Sequence, residues 1–184
     1  TDIDAGFHDG GPEDIPRLLQ ATVKGVTLLN NYVPQGRDIE HEMYGYKSEW
    51  FKRLRAYVVE RFTLDTPLVW LGVMNVAHDP MDVHNPAQRK KHVCFHADAR
   101  EAFAHGRDWG FVDVFRKHHP EPGHYTFFDY RTLNAATDGK GWRIDYILTN
   151  PALAERCTDS FIDVAPRLKP KPSDHTFLVA DFDV

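Results

Sequence analysis

Five side chains in this sequence have the types and neighbourhoods from which phosphoryl chemistry can be built. Asp174 and His175 stand together in "PSDHTFLVADF", Asp145 sits inside the apolar run "WRIDYIL", Asn75 follows "LVWLGVM", and Tyr32 closes "TLLNNY". On an extended chain successive side chains point to opposite sides, so Asp174 can meet a hard cation while His175 meets a phosphate. An acid between Ile144 and Tyr146 needs a partner if it faces inward. A carboxylate set against an imidazole fixes its tautomer and raises its basicity. An oxygen ligand for Mg²⁺, a histidine at the scissile phosphate, and amide and phenol groups to orient it are the parts of metal-assisted phosphodiester hydrolysis. Each residue alone has a plainer reading: "SDH" as a cap beside a solvated histidine, Asp145 as an ion-pair partner of Arg143, Tyr32 as core. The joint pattern favours chemistry.

Those residues need strands to present them. "GVTLLNNYVP" (25–34) is a β-branched run ended by Pro34, and "TPLVWLGVMN" (66–75) is an apolar run ended by Gly72. Between them Trp50, Leu54, Tyr57, Val58 and Phe62 recur at helical spacing, with Lys47, Glu49, Lys52, Arg53 and Arg55 as the charged positions, predicting a helix over 46–62. Residues 77–97 read as a long polar loop and 97–110 as a helix closed by glycine. "YTFFDY" (125–130), "GWRIDYILTN" (141–150) and "HTFLVADFDV" (175–184) read as strands, Pro151 as the first turn of a short helix, and residues 1–16 as loop. Strands outnumber helices and are often joined by loops, which predicts an α+β layered sandwich in one domain spanning 1–184 rather than a doubly wound sheet.

The 184 residues are 42% hydrophobic, enough for one core. No apolar run approaches the ~18 residues of a membrane span, and no leader-like start is visible; the expected compartment is the cytoplasm. Two cysteines, Cys94 and Cys157, make no disulfide framework. A net charge of −5 excludes a wholly basic nucleic-acid binder, although "QRKKH" (88–92) and "RLKPKP" (167–172) are local basic islands. His92, Cys94 and His96 alternate in "HVCFH", but no fourth ligand stands at a recognised zinc spacing.

From about Pro16 onward the chain resembles the exonuclease III family of DNA-repair nucleases, which includes the apurinic/apyrimidinic endonucleases. The blocks "NNYVPQGR", "YKSEWFKRL", "LGVMNVAHDPMDVHNP", "GFVDVFRKHHP", "YTFFDYR", "GWRIDYIL" and "PSDHTFLVADF" stand in family order. The resemblance implies the endonuclease/exonuclease/phosphatase fold, Mg²⁺ (or Mn²⁺) as cofactor, and double-stranded DNA, with abasic sites or 3′ ends, as substrate. It implies Tyr32 at the scissile phosphate, Asn75 orienting the attacking water, Asp145 paired with His175, and Asn75, Asp174 and His175 near the metal. Phe127 and Trp142 match the aromatic wall around a base-less sugar, and Arg37, Lys47 and Arg131 match DNA-backbone contacts.

Two departures follow from the same resemblance. The family reads Gly-Asp-x-Asn where this chain reads Gly72-Val73-Met74-Asn75, and valine neither moves a proton nor binds a cation. The family's opening strands, with an asparagine and a metal-binding glutamate, are not matched; the expectation is about the C-terminal two-thirds of the fold, an exposed sheet edge and self-association through it. Asp2, Asp4, Asp9, Glu13 and Asp14 do not resemble the absent motif. Three readings stand: an exonuclease III-type nuclease of reduced activity, a non-catalytic relative that keeps the fold and DNA binding, and a phosphodiesterase for a lipid or small ester. "FFDYR" and "GWRIDYIL" argue against the third.

Overall fold

The computed structural model describes residues 2–183. In chain order the elements are β1 (Ile3–Ala5), β2 (Leu18–Val23), β3 (Val26–Tyr32), α1 (Glu42–Arg61), β4 (Leu68–Val73), α2 (Ala97–Arg107), β5 (Val112–Asp113), α3 (Val114–His118), β6 (Asp145–Thr149), α4 (Pro151–Ala154), β7 (Cys157–Asp163) and β8 (Phe177–Phe182). Six strands form a mixed sheet in the order β1-β2-β3-β4-β6-β5, with β3 and β4 parallel and the other pairs antiparallel. β7 and β8 make a separate antiparallel pair. Helices α1 and α2 lie on one face of the large sheet, and α4 with the small sheet sits against part of the other, the layered α+β arrangement expected.

Period-2 alternation sorts the side chains of β3 and β4. Leu29, Leu68 and Trp70 turn toward α1 and α2, where Trp70 meets Phe51, Phe103 and Phe111 at ring separations of 6.4, 5.6 and 5.2 Å. On the other face Val26, Leu28, Val69, Leu71 and Ile147 line an apolar concavity of about 290 Å³, closed in part by Leu153 and Phe182. The small sheet covers only the β6 end of this face, through Ile147, Ala180 and Phe182.

A buried ion network pins the sheet to the loop after β4. Arg143 lies 2.8 Å from carboxylates of both Asp82 and Asp113, Arg116 adds a second cation at 2.5 Å from Asp82, and Arg143, Asp82 and Asp113 are all buried. Removing one member of such a set typically costs about 3–5 kcal/mol.

Several expectations change. Residues 1–16 are not all loop: Ile3–Ala5 pairs with β2, and β2 covers the edge of β3. The turn between them is held from outside itself, because Arg53 of α1 grips Asp9 at 2.7 Å and Asp14 at 2.6 Å. Helix α1 begins at Glu42, four residues earlier than its apolar spacing predicts, capped by His41. "YTFFDY" is no strand; Phe127 makes single bridges to Trp142 and His175. β6 begins at Asp145, not 141, since the amide of Arg143 is drawn to the carbonyl of Asp82. β2, β5, α3 and β7 are additional elements.

Candidate active site

The register of three strands sets the site. Tyr32 of β3 lies opposite Val73 of β4, and Val73 lies opposite Asp145 of β6. Residues in register share a face, so these three side chains form a row at one end of the sheet. Val73 occupies the middle, with an aromatic alcohol on one side and a carboxylate on the other. Just before it, Gly72 has φ +116°, and a Cβ there would fall 2.1 Å from the carbonyl oxygen of Asn31. That position accepts no side chain, which explains why the apolar run breaks at glycine.

Beyond Val73 the chain turns through Asn75 at φ +53°, a left-handed conformation that asparagine tolerates better than most residues. Its Nδ2 donates to the carbonyl of Val33 at 2.9 Å, which leaves Oδ1 for the cleft. Its backbone carbonyl accepts from Lys47 Nζ at 2.6 Å. Lys47 also donates to the carbonyls of Gln35 (3.2 Å) and Val93 (2.9 Å) and is wholly buried. Burial pulls its pKa down to about 8. Lys47 therefore does not contact DNA backbone, contrary to expectation; it is a buried tie that fixes the Asn75 turn.

Across the row, Asp145 faces His175. Nδ1 of His175 lies 2.9 Å from Oδ2 and 3.1 Å from Oδ1 of Asp145. A carboxylate only accepts, so Nδ1 carries the proton and Nε2 is presented to the cleft. Burial of the ring lowers the pKa of His175, but the hydrogen bond and charge of Asp145, with the charge of Asp174, outweigh it and leave the pKa above its usual value. Thr126 supports both partners: its Oγ1 accepts from the amide of Asp145 at 3.3 Å, and its carbonyl accepts from the amide of Thr176. Arg143 is not the partner of Asp145; it serves the buried network instead.

Tyr32, Asn75, Asp174 and His175 open onto one cleft of about 490 Å³, walled by Phe127 and Trp142. Trp142 carries the ring of His92 at 4.4 Å, inclined 36°, with the guanidinium of Arg89 5.8 Å from the indole. Burial, then the charges of Arg89, Lys47 and Arg131, hold His92 down at about 4, a neutral ring near pH 7. His84, Arg89, His92 and Lys140 line the cleft, and the sequence reading named none of them as a substrate contact. For Arg89 and His92 the basic island at 88–92 is the available signal. Arg131 also lines the cleft, 87% exposed and paired with Asp129 at 2.7 Å. Such a solvated pair exchanges partners at little cost. Arg37 is exposed on the loop after β3 and does not line the cleft.

For a divalent cation the cleft offers oxygen donors from Asp174 and Asn75 Oδ1, while Asp145 is committed to His175. Among the described residues, the Asp174 carboxylate is in no ion pair. One carboxylate with waters and substrate oxygens is an ordinary way to hold Mg²⁺, so the donor set fits in that sparse form. Asp4, Asp9 and Asp14 are spent on His8 and Arg53 and lie outside the cleft. His92, Cys94 and His96 form no common ligand cluster among the described residues: Cys94 is buried and His96 caps α2.

Comparison with known proteins agrees with this fold. Residues 4–175 match the sequence model of the Endonuclease/Exonuclease/phosphatase family. An exodeoxyribonuclease III of Haemophilus influenzae is 30% identical over 192 residues, covering 98% of this chain and 72% of that protein. The solved structure of an AP endonuclease from Archaeoglobus fulgidus aligns with a TM-score of 0.96 at 50% identity, over 100% of this chain and 71% of that one. A 3′ phosphatase from Neisseria, solved bound to a product DNA hairpin, aligns at 0.92 and 34% identity, over 100% of this chain and 71% of that one.

Proposed function

Because the chain belongs to the endonuclease/exonuclease/phosphatase family, as an exodeoxyribonuclease III-like and AP endonuclease-like member, we propose that its cleft hydrolyses phosphodiesters of double-stranded DNA at abasic sites or 3′ ends. The observation that carries this reading is the 2.9 Å Asp145–His175 pair, opening beside Tyr32, Asn75 and Asp174 onto one cleft. With Nδ1 held by Asp145, protonated His175 donates from Nε2 to a phosphoryl oxygen, and its raised pKa keeps that form populated toward neutral pH. Tyr32 hydroxyl and Asn75 Oδ1 orient phosphate and water. Trp142 and Phe127 give an apolar wall for a sugar without its base. Arg131 and Arg37 are the proposed backbone contacts, joined by Arg89 and Lys140.

The family is divalent-metal dependent, and Mg²⁺ or Mn²⁺ at Asp174 and Asn75 would neutralise phosphate charge when bound. Val73 stands where that chemistry wants an acid, so turnover is proposed to be weak. The test is cleavage of an abasic-site duplex with Mg²⁺, beside a Val73→Asp variant. Turnover that EDTA abolishes supports the nuclease; binding without cleavage in either protein supports the second reading, a non-catalytic DNA-binding relative. The observation favouring that second reading is Val73 itself, between Tyr32 and Asp145. Self-association is also proposed, across the apolar concavity between Leu28 and Ile147 rather than the covered edge of β3; a clean monomer in light scattering would remove it.

A further inference from the structure

Outside the cleft, the segment "RKHHPEPGHY" (116–125) places two imidazoles and a carboxylate against one another. The nearest nitrogen of His119, the nearest nitrogen of His124 and an oxygen of Glu121 all lie within 4.8 Å of one another. Glu121 Oε1 is 3.3 Å from His119 Nδ1 and 2.7 Å from His124 Nε2. None of the three lines the catalytic cleft.

The surroundings hold this group in place before any ligand arrives. Gly123, at φ +98°, reverses the chain so that His124 returns toward His119. Arg116 donates one guanidinium nitrogen to the carbonyls of His119 (3.0 Å) and Glu121 (2.7 Å), while its other end is anchored on buried Asp82. The ring of Phe115 stacks on His119 at 4.8 Å and meets His124 edge-on at 5.5 Å.

One hydrogen bond fixes the chemistry. His119 Nε2 lies 2.8 Å from the backbone carbonyl of Ser160 on β7. A carbonyl only accepts, so Nε2 carries the proton, and the neutral ring turns the lone pair of Nδ1 toward the carboxylate of Glu121. Two acceptors 3.3 Å apart repel unless a proton or a cation lies between them. A backbone carbonyl behind the far nitrogen of an imidazole is the usual support of a metal-binding histidine.

We propose that His119, Glu121 and His124 form a binding site for a borderline transition-metal ion of the Zn²⁺ class, separate from the cleft. Bonds of about 2.0–2.2 Å to nitrogen and oxygen put tetrahedral ligands about 3.4 Å apart, and the separations found need shifts from tenths of an ångström to at most about 1.4 Å to meet that. Two imidazoles discriminate against Mg²⁺, which prefers oxygen, so the two sites select different ions. The ion joins the loop after α3 to β7 through His119 and Ser160, just before Thr126, which supports Asp145 from behind, and Phe127, which lines the cleft.

The probe is Zn²⁺ alone, titrated into the EDTA-stripped and dialysed full chain against a chromogenic chelator, with imidazole resonances followed by NMR. One tight Zn²⁺ per chain is expected, moving the His119 and His124 signals and unaffected by Asp174→Asn in the cleft. His119→Gln, His124→Gln and Glu121→Gln should each weaken it at least about tenfold, since even lost support behind a ligand costs about 10–100-fold. All three side chains are partly exposed, so the metal-free variants should unfold at the wild-type temperature while losing the rise that Zn²⁺ gives the wild type. No Zn²⁺ binding by the wild type, unmoved His119 and His124 signals, or equal affinity in a His119→Gln/His124→Gln double variant would overturn the proposal.

Discussion

On the β6 side of the cleft, Asp145 gives both carboxylate oxygens to His175, and Thr126 braces the pair from behind. On the β4 side, one ladder position away, Val73 offers methyl groups, and the polar residue that follows is fixed by its backbone and one amide bond. Both sides are rigid, yet only the first turns a charged side chain toward the cleft. The β4 side keeps its costly scaffolding: a glycine that tolerates no side chain, a left-handed Asn75 and a buried lysine. Positioning is present on a side that carries no acid–base group, so the two kinds of structural requirement are separable in this molecule.

The largest effect should come from the charged side. Asp145→Asn removes the carboxylate that orients and charges His175, and cleavage of abasic DNA should fall about 10²–10⁴-fold. Asp145→Asn/His175→Ala should be no worse than His175→Ala alone, because the two act as one unit. Without Asp145 only burial acts strongly on the ring, so an NMR titration should find the His175 pKa moved below its wild-type value. The stability effect has a definite sign. A histidine whose pKa is raised on folding contributes fully below about 6.5 and loses that contribution as pH rises through the folded value. The gap in Tm between wild type and Asp145→Asn should therefore be widest below about pH 6.5 and narrow above it.

Val73→Asp would break the asymmetry from the other side. The new carboxylate would stand in register with Asp145, where like charges across a ladder cost about 0.2–1 kcal/mol. Tm should drop slightly without metal and recover with Mg²⁺, and turnover should rise at least about tenfold. An unchanged rate would say that the inert valine is not what limits the site.

A smaller effect tests the scaffold. Lys47→Met leaves the buried carbonyls of Asn75 and Val93, and the partly buried one of Gln35, without their donor, costing about 1–3 kcal/mol. Lys47 has a pKa of about 8 in the fold against 10.5 ordinarily, so between those values the unfolded chain holds more protons and stability rises with pH. The difference in stability between wild type and Lys47→Met should grow over that window. A flat difference would mean the amine is not buried as a charge.

Lys47 also shows what a single sequence yields and what it hides. The periodicity of α1 was legible, and Lys47 stands on its apolar stripe with Trp50, Phe51, Leu54 and Val58; its charge nonetheless suggested solvent. Tyr32, Val73 and Asp145 were visible as strand-end residues, but their alignment was not, because register is a property of pairs of strands. The β1–β2 turn is rich in Gly, Asp and Pro and reads as loop; its order comes from Arg53, about forty residues away. "YTFFDY" reads as a strand on composition alone, whereas its amides are divided between the carbonyls of Trp142 and Asp174. Local pattern revealed the elements; partners distant in sequence decided their bounds and the site.

The smallest effect concerns how DNA meets the two sides. Arg131 lines the cleft beside Trp142 and, among the described residues, pairs with half-buried Asp129, whereas Arg37 lies outside the lining on the Tyr32 side. Each lysine or arginine that neutralises a phosphate of a duplex adds about 0.9 to the slope of log affinity against log salt. Arg131→Ala should lower that slope by about this amount while barely altering cleavage of saturating DNA, and Arg37→Ala should lower it by less. Equal losses would mean that the duplex spans both rims, and that the asymmetry between β4 and β6 belongs to the chemistry and not to the grip on DNA.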